Sequence, residues 1–159
     1  MDIFTVIKKE HRAVQALLKD LTETTERAVK KRTTLLREIA QELVSHNHAE
    51  EMVFYPKLNS DREERVLIFE AKDEHTLGAA TLQELEQLDC ATEEWAAKAK
   101  VLKDLVDHHI EEEEGEIHPL AKKLLSKDEA LELATQFQEL KQKFKAQESE
   151  KLPELKQAS

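Results

Sequence analysis

The sequence predicts an all-α fold, an up-down-up-down four-helix bundle with an additional C-terminal helix. Three observations predict it. Two Gly and three Pro in 159 residues leave little room for turns, and 36% charged residues suit long helices with solvated faces. Apolar residues recur at steps of three and four through four long windows separated by short breaks. Finally, one spacing of polar residues occurs twice: His11, His46 and Glu50 are followed by His75, His109 and Glu113 at offsets of 64, 63 and 63, and Pro56 and Pro119 also stand 63 apart. The length is that of one domain.

The first helix is expected from a cap at Asp2 to about Ala28, burying Ile3, Ile7, Val14, Leu18 and Leu21. Lys30, Lys31 and Arg32 would sit at its carbonyl end, where the helix dipole favours cations, and Thr33 or Thr34 would cap the second helix. That helix carries Leu36, Ile39, Leu43, His46, Glu50 and Val53 on one seam and closes near Pro56. Ser60 with Glu63 makes a capping-box pattern for a third helix over about 61–88, with Ile68, Ala71, His75, Gly78, Ala79, Leu82 and Leu85 on one face. Gly78 costs about 1 kcal/mol against Ala in a helix; either a neighbouring helix or the metal site approaches closely there, or the glycine is simply tolerated. The fourth helix starts near Thr92, carries Trp95, Ala99, Leu102, Leu105, Val106, His109, Glu113 and Ile117, and stops by Pro119. Ser126 with Glu129 opens a fifth amphipathic helix through Leu133, Phe137, Leu140 and Phe144. The expected organisation is a bundle over residues 1–122, a fifth helix over 123–147 packed on it, and a polar, frayed tail over 148–159.

Charge and composition exclude several classes. The net charge is −10 and the isoelectric point about 5.2. With no Lys/Arg block, nucleic acid and anionic membrane are poor partners. No apolar run approaches the ~20 residues of a membrane span, and the first residues lack a signal-peptide pattern. Cys90 is the single cysteine, so no intrachain disulfide forms. These features suit a cytoplasmic protein.

Residues four apart on a helix stand one above the other. His46 with Glu50, and His109 with Glu113, can therefore reach one point, and His11 and His75 add a ligand each from two other helices. One His on an apolar seam is commonly a satisfied core residue, and one His-x-x-x-Glu arises by chance in acidic helices. Duplication of the whole set points instead to metal. Burying six such groups without a partner costs several kcal/mol for each ion, and two cations offset that cost if each Glu bridges the pair and each His binds as neutral imidazole. The candidate ligands are His11, His46, Glu50, His75, His109 and Glu113. His108 and Glu112 are also four apart, but the 63-residue offset and the apolar neighbours select His109 and Glu113. His48 and His118 are expected at the surface or rim, His118 at the position matching Tyr55. Glu51, Glu111, Glu112, Glu114 and Glu116 read as a solvated acidic face.

The segments from His46 to Pro56 and from His109 to Pro119, with the Glu-His pairs at 10–11 and 74–75, resemble the hemerythrin-like (HHE cation-binding) family over about residues 1–122. The resemblance implies a bundle enclosing a non-haem di-iron centre, oxo- or hydroxo-bridged. Glu50 and Glu113 would bridge, His11, His46, His75 and His109 would be terminal, and dioxygen, peroxide or nitric oxide would be the small ligand. The oxygen carriers of that family place two histidines one turn apart on the third helix. Here Ala71 and Ala79 flank His75, so one imidazole is missing; the position is open or is filled by a nearby Glu. Ferritin-like di-iron proteins carry Glu-x-x-His on two helices, and no His here has Glu three residues before it. Structural zinc generally takes four ligands from Cys and His. Iron therefore ranks ahead of manganese and zinc. Two functions compete: binding or sensing of oxygen or iron, and an enzyme decomposing hydrogen peroxide or reducing nitric oxide, which the missing imidazole would favour. Sensing and redox chemistry would both call for a partner whose identity the residues do not reveal. A third reading makes the chain an interaction module using its fifth helix.

Overall fold

A computed structural model describes the backbone of residues 1–158 and the side chains of residues 1–147. It is a four-helix bundle with an extra C-terminal helix. The elements are α1 (Ile3–Thr22), α2 (Val29–Ala49), α3 (Arg62–Gln87), α4 (Glu93–Glu112), a short α5 (His118–Leu124) and α6 (Lys127–Ala158). In the bundle, α1 packs on α2 and α4, and α3 packs on α4 and α2; α6 lies across α1 and α2. The polar tail expected over 148–159 lies outside the described side chains.

Caps explain most of the starts. Asp2 accepts from Thr5 N–H at 2.8 Å, and Thr92 accepts from Trp95 N–H at 3.2 Å. Ser126 and Glu129 satisfy each other's backbone donors at 3.2 and 2.8 Å. The box before α3 is shifted by one residue from the expected one. Asp61 accepts from Glu64 N–H at 3.0 Å, and the Glu64 carboxylate returns to Asp61 N–H at 3.3 Å and to the Ser60 hydroxyl and N–H.

The α1–α2 junction departs from expectation. The first helix ends at Thr22, and α2 begins at Val29 behind Ala28, without a side-chain cap. Neither Thr33 nor Thr34 caps it, and Lys30 to Arg32 lie in its first turns. The reason is Arg32, a buried cation that gathers the chain around itself. Its guanidinium donates to Thr24 O at 2.9 Å and to Cys90 O at 2.5 Å, and it stacks 4.6 Å from the centre of the Trp95 ring.

The fourth helix ends at Glu112, before Pro119, but the chain stays helical through the proline. One π-helical turn follows α2 (Glu50–Phe54) and another follows α4 (Glu113–Ile117), each leading into a short helix whose second residue is a proline. Proline lacks an N–H and crowds the carbonyl four residues back. A π turn, bonded five residues back, carries the chain past that obstacle without a break.

The apolar core has two parts. Ile3, Phe4, Ile7, Phe54, Tyr55, Ile117 and Phe137 belong to one cluster. Val14, Leu18, Leu36, Leu43, Leu82, Trp95, Leu102 and Val106 belong to the other. His11 falls between Ile7 of the first and Val14 of the second on α1, so the polar layer lies between two greasy ones.

Candidate metal centre

The layer between the clusters holds His11, His46, Glu50, His75, His109 and Glu113, all buried, with both glutamates at 0% exposure. Two groups of ligand atoms are close enough to share an ion: His11, His46 and Glu50, and Glu50, His75, His109 and Glu113. Glu50 belongs to both groups, and Glu113 stands between His109 and His118. Glu50 Oε1 lies 2.9 Å from His46 Nε2, and its Oε2 lies 3.2 Å from His75 Nε2. Glu113 Oε2 lies 3.1 Å from His109 Nε2, and its Oε1 lies 3.4 Å from His118 Nε2.

Two further residues complete the layer. His118 is 1% exposed rather than at the rim, stacked on the His11 ring with centroids 6.4 Å apart. Tyr55, its counterpart in the first half, donates its hydroxyl to Glu113 Oε2 at 3.0 Å and Glu50 Oε2 at 3.2 Å. Both side chains reach the centre because of the π turns. Tyr55 N–H bonds back to Glu50 O, and His118 N–H to Glu113 O. Residues five apart therefore share a face there, whereas in an α-helix they would be roughly 140° apart.

Carboxylates back the imidazoles from the adjacent helix. His11 Nδ1 meets Glu114 at 2.8 Å, His46 Nδ1 meets Glu10 at 2.8 Å, and His109 Nδ1 meets Glu74 at 2.9 Å. Glu51 stands 3.6 Å from His75 Nδ1. The series runs around the bundle, each His leaning on a Glu from the next helix. Glu51 and Glu114 thus leave the solvated acidic face on which the sequence put them. Such partners fix ring orientation and aim Nε2 inward, as outer carboxylates do for metal-bound histidines. His108, 60% exposed between Glu74 and Glu112, stays outside the layer.

Several buried atoms of this layer have no hydrogen-bond partner: Nε2 of His11 and His46, Nδ1 of His75, Oε1 of Glu50 and Glu113, and both ring nitrogens of His118. His46 Nε2 and Glu50 Oε1 lie 2.9 Å apart without forming a hydrogen bond. Buried polar atoms are almost always paired, so lone pairs converging on one place fit a cation.

The charges agree with that. Burial works against a charged His46, but Glu50 and Glu10 outweigh it and raise its pKa to about 10. Burial likewise opposes charge on His109, and Glu113 and Glu74 bring it to about 10. Burial would raise Glu113, yet His109, His118 and His11 hold it well below the ordinary carboxylate range. Burial, then Glu113 and Glu50, push the Tyr55 phenol well up, so it stays a neutral donor. For His11, burial wins and lowers the pKa. Without metal, protons on His46 and His109 supply the positive charge this carboxylate pair needs.

Residues 2–121 match the hemerythrin HHE cation-binding domain. The chain belongs to this family. Its fold is similar to the crystal structure of a hemerythrin HHE cation-binding domain-containing protein of Mycobacterium kansasii, with a TM-score of 0.81 at 21% identity, over 92% of this chain and 89% of that one. It is also 26% identical over 144 residues, 91% of this chain, to a DNA nickase of Nostoc sp. (strain PCC 7120 / SAG 25.82 / UTEX 2576). The chain spans 40% of that relative's length. As an HHE domain the chain has His/Glu groups able to hold metal, and among its described residues no helix is long and apolar enough to cross a membrane. Gly78 faces a cavity of about 20 Å³ beside His75 and His109, and a Cβ there would meet nothing within 4 Å. Close approach by a neighbouring helix is therefore not the reason for that glycine.

Proposed function

We propose that the chain is a non-haem di-iron protein that binds dioxygen or a related small ligand, for oxygen or iron binding or sensing. One observation carries the reading: Glu50 turns one oxygen toward His11 and His46 and the other toward His75 and Tyr55, while Glu113 turns one toward His118 and the other toward His109 and Tyr55. Two carboxylates so placed would be able to hold a pair of cations between the two sets of side chains. Imidazole and carboxylate donors suit iron, and iron would supply reversible one-electron chemistry and affinity for small diatomic ligands. The six ligands proposed from sequence are His11, His46, Glu50, His75, His109 and Glu113, to which His118 is added. Tyr55 holds a proton between the two carboxylates. The apolar clusters on either side keep bulk water from the layer.

A second reading, an enzyme decomposing hydrogen peroxide, draws support from that Tyr55 hydroxyl, a proton donor fixed at the centre of the site. The resemblance to a DNA nickase carries no such support, since a net charge of −10 suits no nucleic-acid surface.

The experiment is metal content with an optical spectrum of protein purified from iron-replete cells. The expected result is two irons per chain and a near-ultraviolet band that shifts on adding azide. Stoichiometric, reversible oxygenation supports binding, and gas evolution from peroxide over many turnovers supports the enzyme. A His109→Ala chain that keeps two irons would sink the ligand assignment.

A further inference from the structure

Helix α6 begins beyond residues 2–121, the stretch matched to the family. Even so, it reaches a residue of the metal layer. The edge of Phe137 meets the His46 ring, with centroids 5.4 Å apart and planes at 78°. One turn on, Lys141 is buried at 7% exposure. Its ammonium lies 3.1 Å from Glu10 Oε2, the oxygen that accepts from His46 Nδ1, and 2.6 Å from Glu42 Oε2. Lys145 pairs with the other Glu42 oxygen.

Lys141 occupies a seam position. Ala130, Leu133, Ala134 and Phe137 precede it on the same buried face, where an apolar residue would dock the helix without cost. Burying an ammonium costs several kcal/mol unless it is well paired. The lysine is therefore explained by what it holds. Free of Lys141, the Glu10 carboxylate could swing toward solvent on its flexible stem and leave His46 Nδ1 without its acceptor. The counterpart pair in the second half, His109 and Glu74, faces His108 and Glu112 instead, so this bracing belongs to one half of the site.

We infer that Lys141 is a positioning residue: through Glu10 it fixes the His46 ring, so that a helix outside the matched domain sets the affinity of the cation position formed by His11, His46 and Glu50. The inference rests on the two-cation reading above and extends it. Loss of a carboxylate partner behind a metal-bound histidine generally weakens metal binding by about 10–100-fold.

The test is a titration of metal-free protein with cobalt(II), read by its visible absorption and by equilibrium dialysis. In Lys141→Met, which keeps the aliphatic stem, one of two cobalt positions should weaken by about 10–100-fold while the other is unchanged. Lys141→Arg should restore it. Glu42→Gln, which loosens α6 from α2 but leaves Lys141 on Glu10, should leave both affinities alone. In a His11→Ala chain, already impaired at that position, Lys141→Met should have no further effect on the remaining one. Unchanged affinity in Lys141→Met would overturn the inference. So would tighter binding, which is what removing a nearby positive charge would do if Lys141 acted only through its field. Equal weakening in Glu42→Gln would reduce Lys141 to a docking contact. A wild-type chain that takes up no cobalt sinks the metal reading itself, and this inference with it.

Discussion

Replacing His118 by leucine should make the protein more stable without metal and less stable with it. The His118 ring is 1% exposed, between Phe4 at 5.4 Å and Phe54 at 5.9 Å, and neither of its nitrogens has a hydrogen-bond partner. A buried polar atom left unpaired costs about 1–3 kcal/mol, and leucine removes two of them in surroundings that suit it. Against that gain stands the 3.4 Å approach to Glu113 Oε1, whose loss costs about 1 kcal/mol. At about 1.5 kcal/mol for each nitrogen, the lower part of that range, the balance is a gain of about 2 kcal/mol, which for a chain of this length raises Tm by about 4–8 °C. With metal the sign reverses. Losing an imidazole from one cation should weaken binding by at least about 100-fold, roughly 2.7 kcal/mol, and stabilisation by a bound ligand falls by the same amount when that ligand is in excess. The assay is urea unfolding of wild type and His118→Leu, each with chelator and with saturating cobalt(II). If the variant shifts in the same direction in both conditions, His118 is an ordinary core residue and the reasoning fails.

Four other outcomes follow from the same geometry. Gly78→Ala should stabilise the fold by about 1–2 kcal/mol, combining about 1 kcal/mol of helix propensity with burial of one methyl group in open space; a fall in the urea midpoint would mean a neighbour does press there. Metal-free protein should lose stability at alkaline pH. His46 and His109 have folded pKa values of about 10 against 6.5 ordinarily, so their contribution is complete below about pH 6.5 and gone above about pH 10, a drop of more than about 2 kcal/mol in chelator-treated melts. The lowered Glu113 acts oppositely, contributing above about pH 4.5 and losing its effect as pH falls further. Tyr55→Phe should cost metal-free protein about 1–3 kcal/mol, because two buried carboxylate oxygens each lose a donor; an unchanged melting curve would count against the hydroxyl's role. Asp61→Ala should cost about 1 kcal/mol by opening the box before α3, detectable as a lowered urea midpoint with unaltered cobalt affinity.

How much of this was legible in the sequence depends on which periodicity governs each residue. His11, His46, His75 and His109 lie inside α-helices, and Glu50 and Glu113 still bond back four residues to His46 and His109 before the period changes, so their shared seam could be read directly. Tyr55 and His118 could not be placed that way. They follow Glu50 and Glu113 by five residues, and an α-helix turns such a pair away from each other. Only the prolines right after them, at 56 and 119, signalled that the helix would change its period. The second available signal was the 63-residue offset, which pairs Tyr55 with His118 as surely as it pairs the ligands. The backing carboxylates were likewise visible as Glu10 before His11, Glu74 before His75, Glu51 after Glu50 and Glu114 after Glu113, yet in a chain with 34 acidic residues they resemble ordinary surface charge. Only tertiary contact sorts them, since each reaches a histidine on a different helix. Arg32 misled for a related reason: a basic run usually marks a solvated helix end, and nothing local reveals that one member is buried against Trp95.

The departures from two-fold symmetry matter as much as the symmetry. Duplicating a helix pair yields two equal halves, and two equal halves would hold two equivalent cations. In this chain Tyr55 and His118 occupy equivalent places, so three imidazoles, His11, His46 and His118, gather on one side, while two imidazoles and a phenol, His75, His109 and Tyr55, gather on the other. A neutral phenol is a weaker donor than imidazole, and this one is already engaged with both carboxylates. On the di-iron reading, the imidazole missing from the third helix does not leave both positions short, because His118 supplies one to the His11 side. The shortage falls on the His75 side alone. A centre meant only to store charge gains nothing from unequal halves. One that takes up a small ligand needs a saturated position to anchor the pair and an unsaturated one to accept the ligand. Lys141 strengthens the same inequality, since it braces the histidine of the better-furnished side.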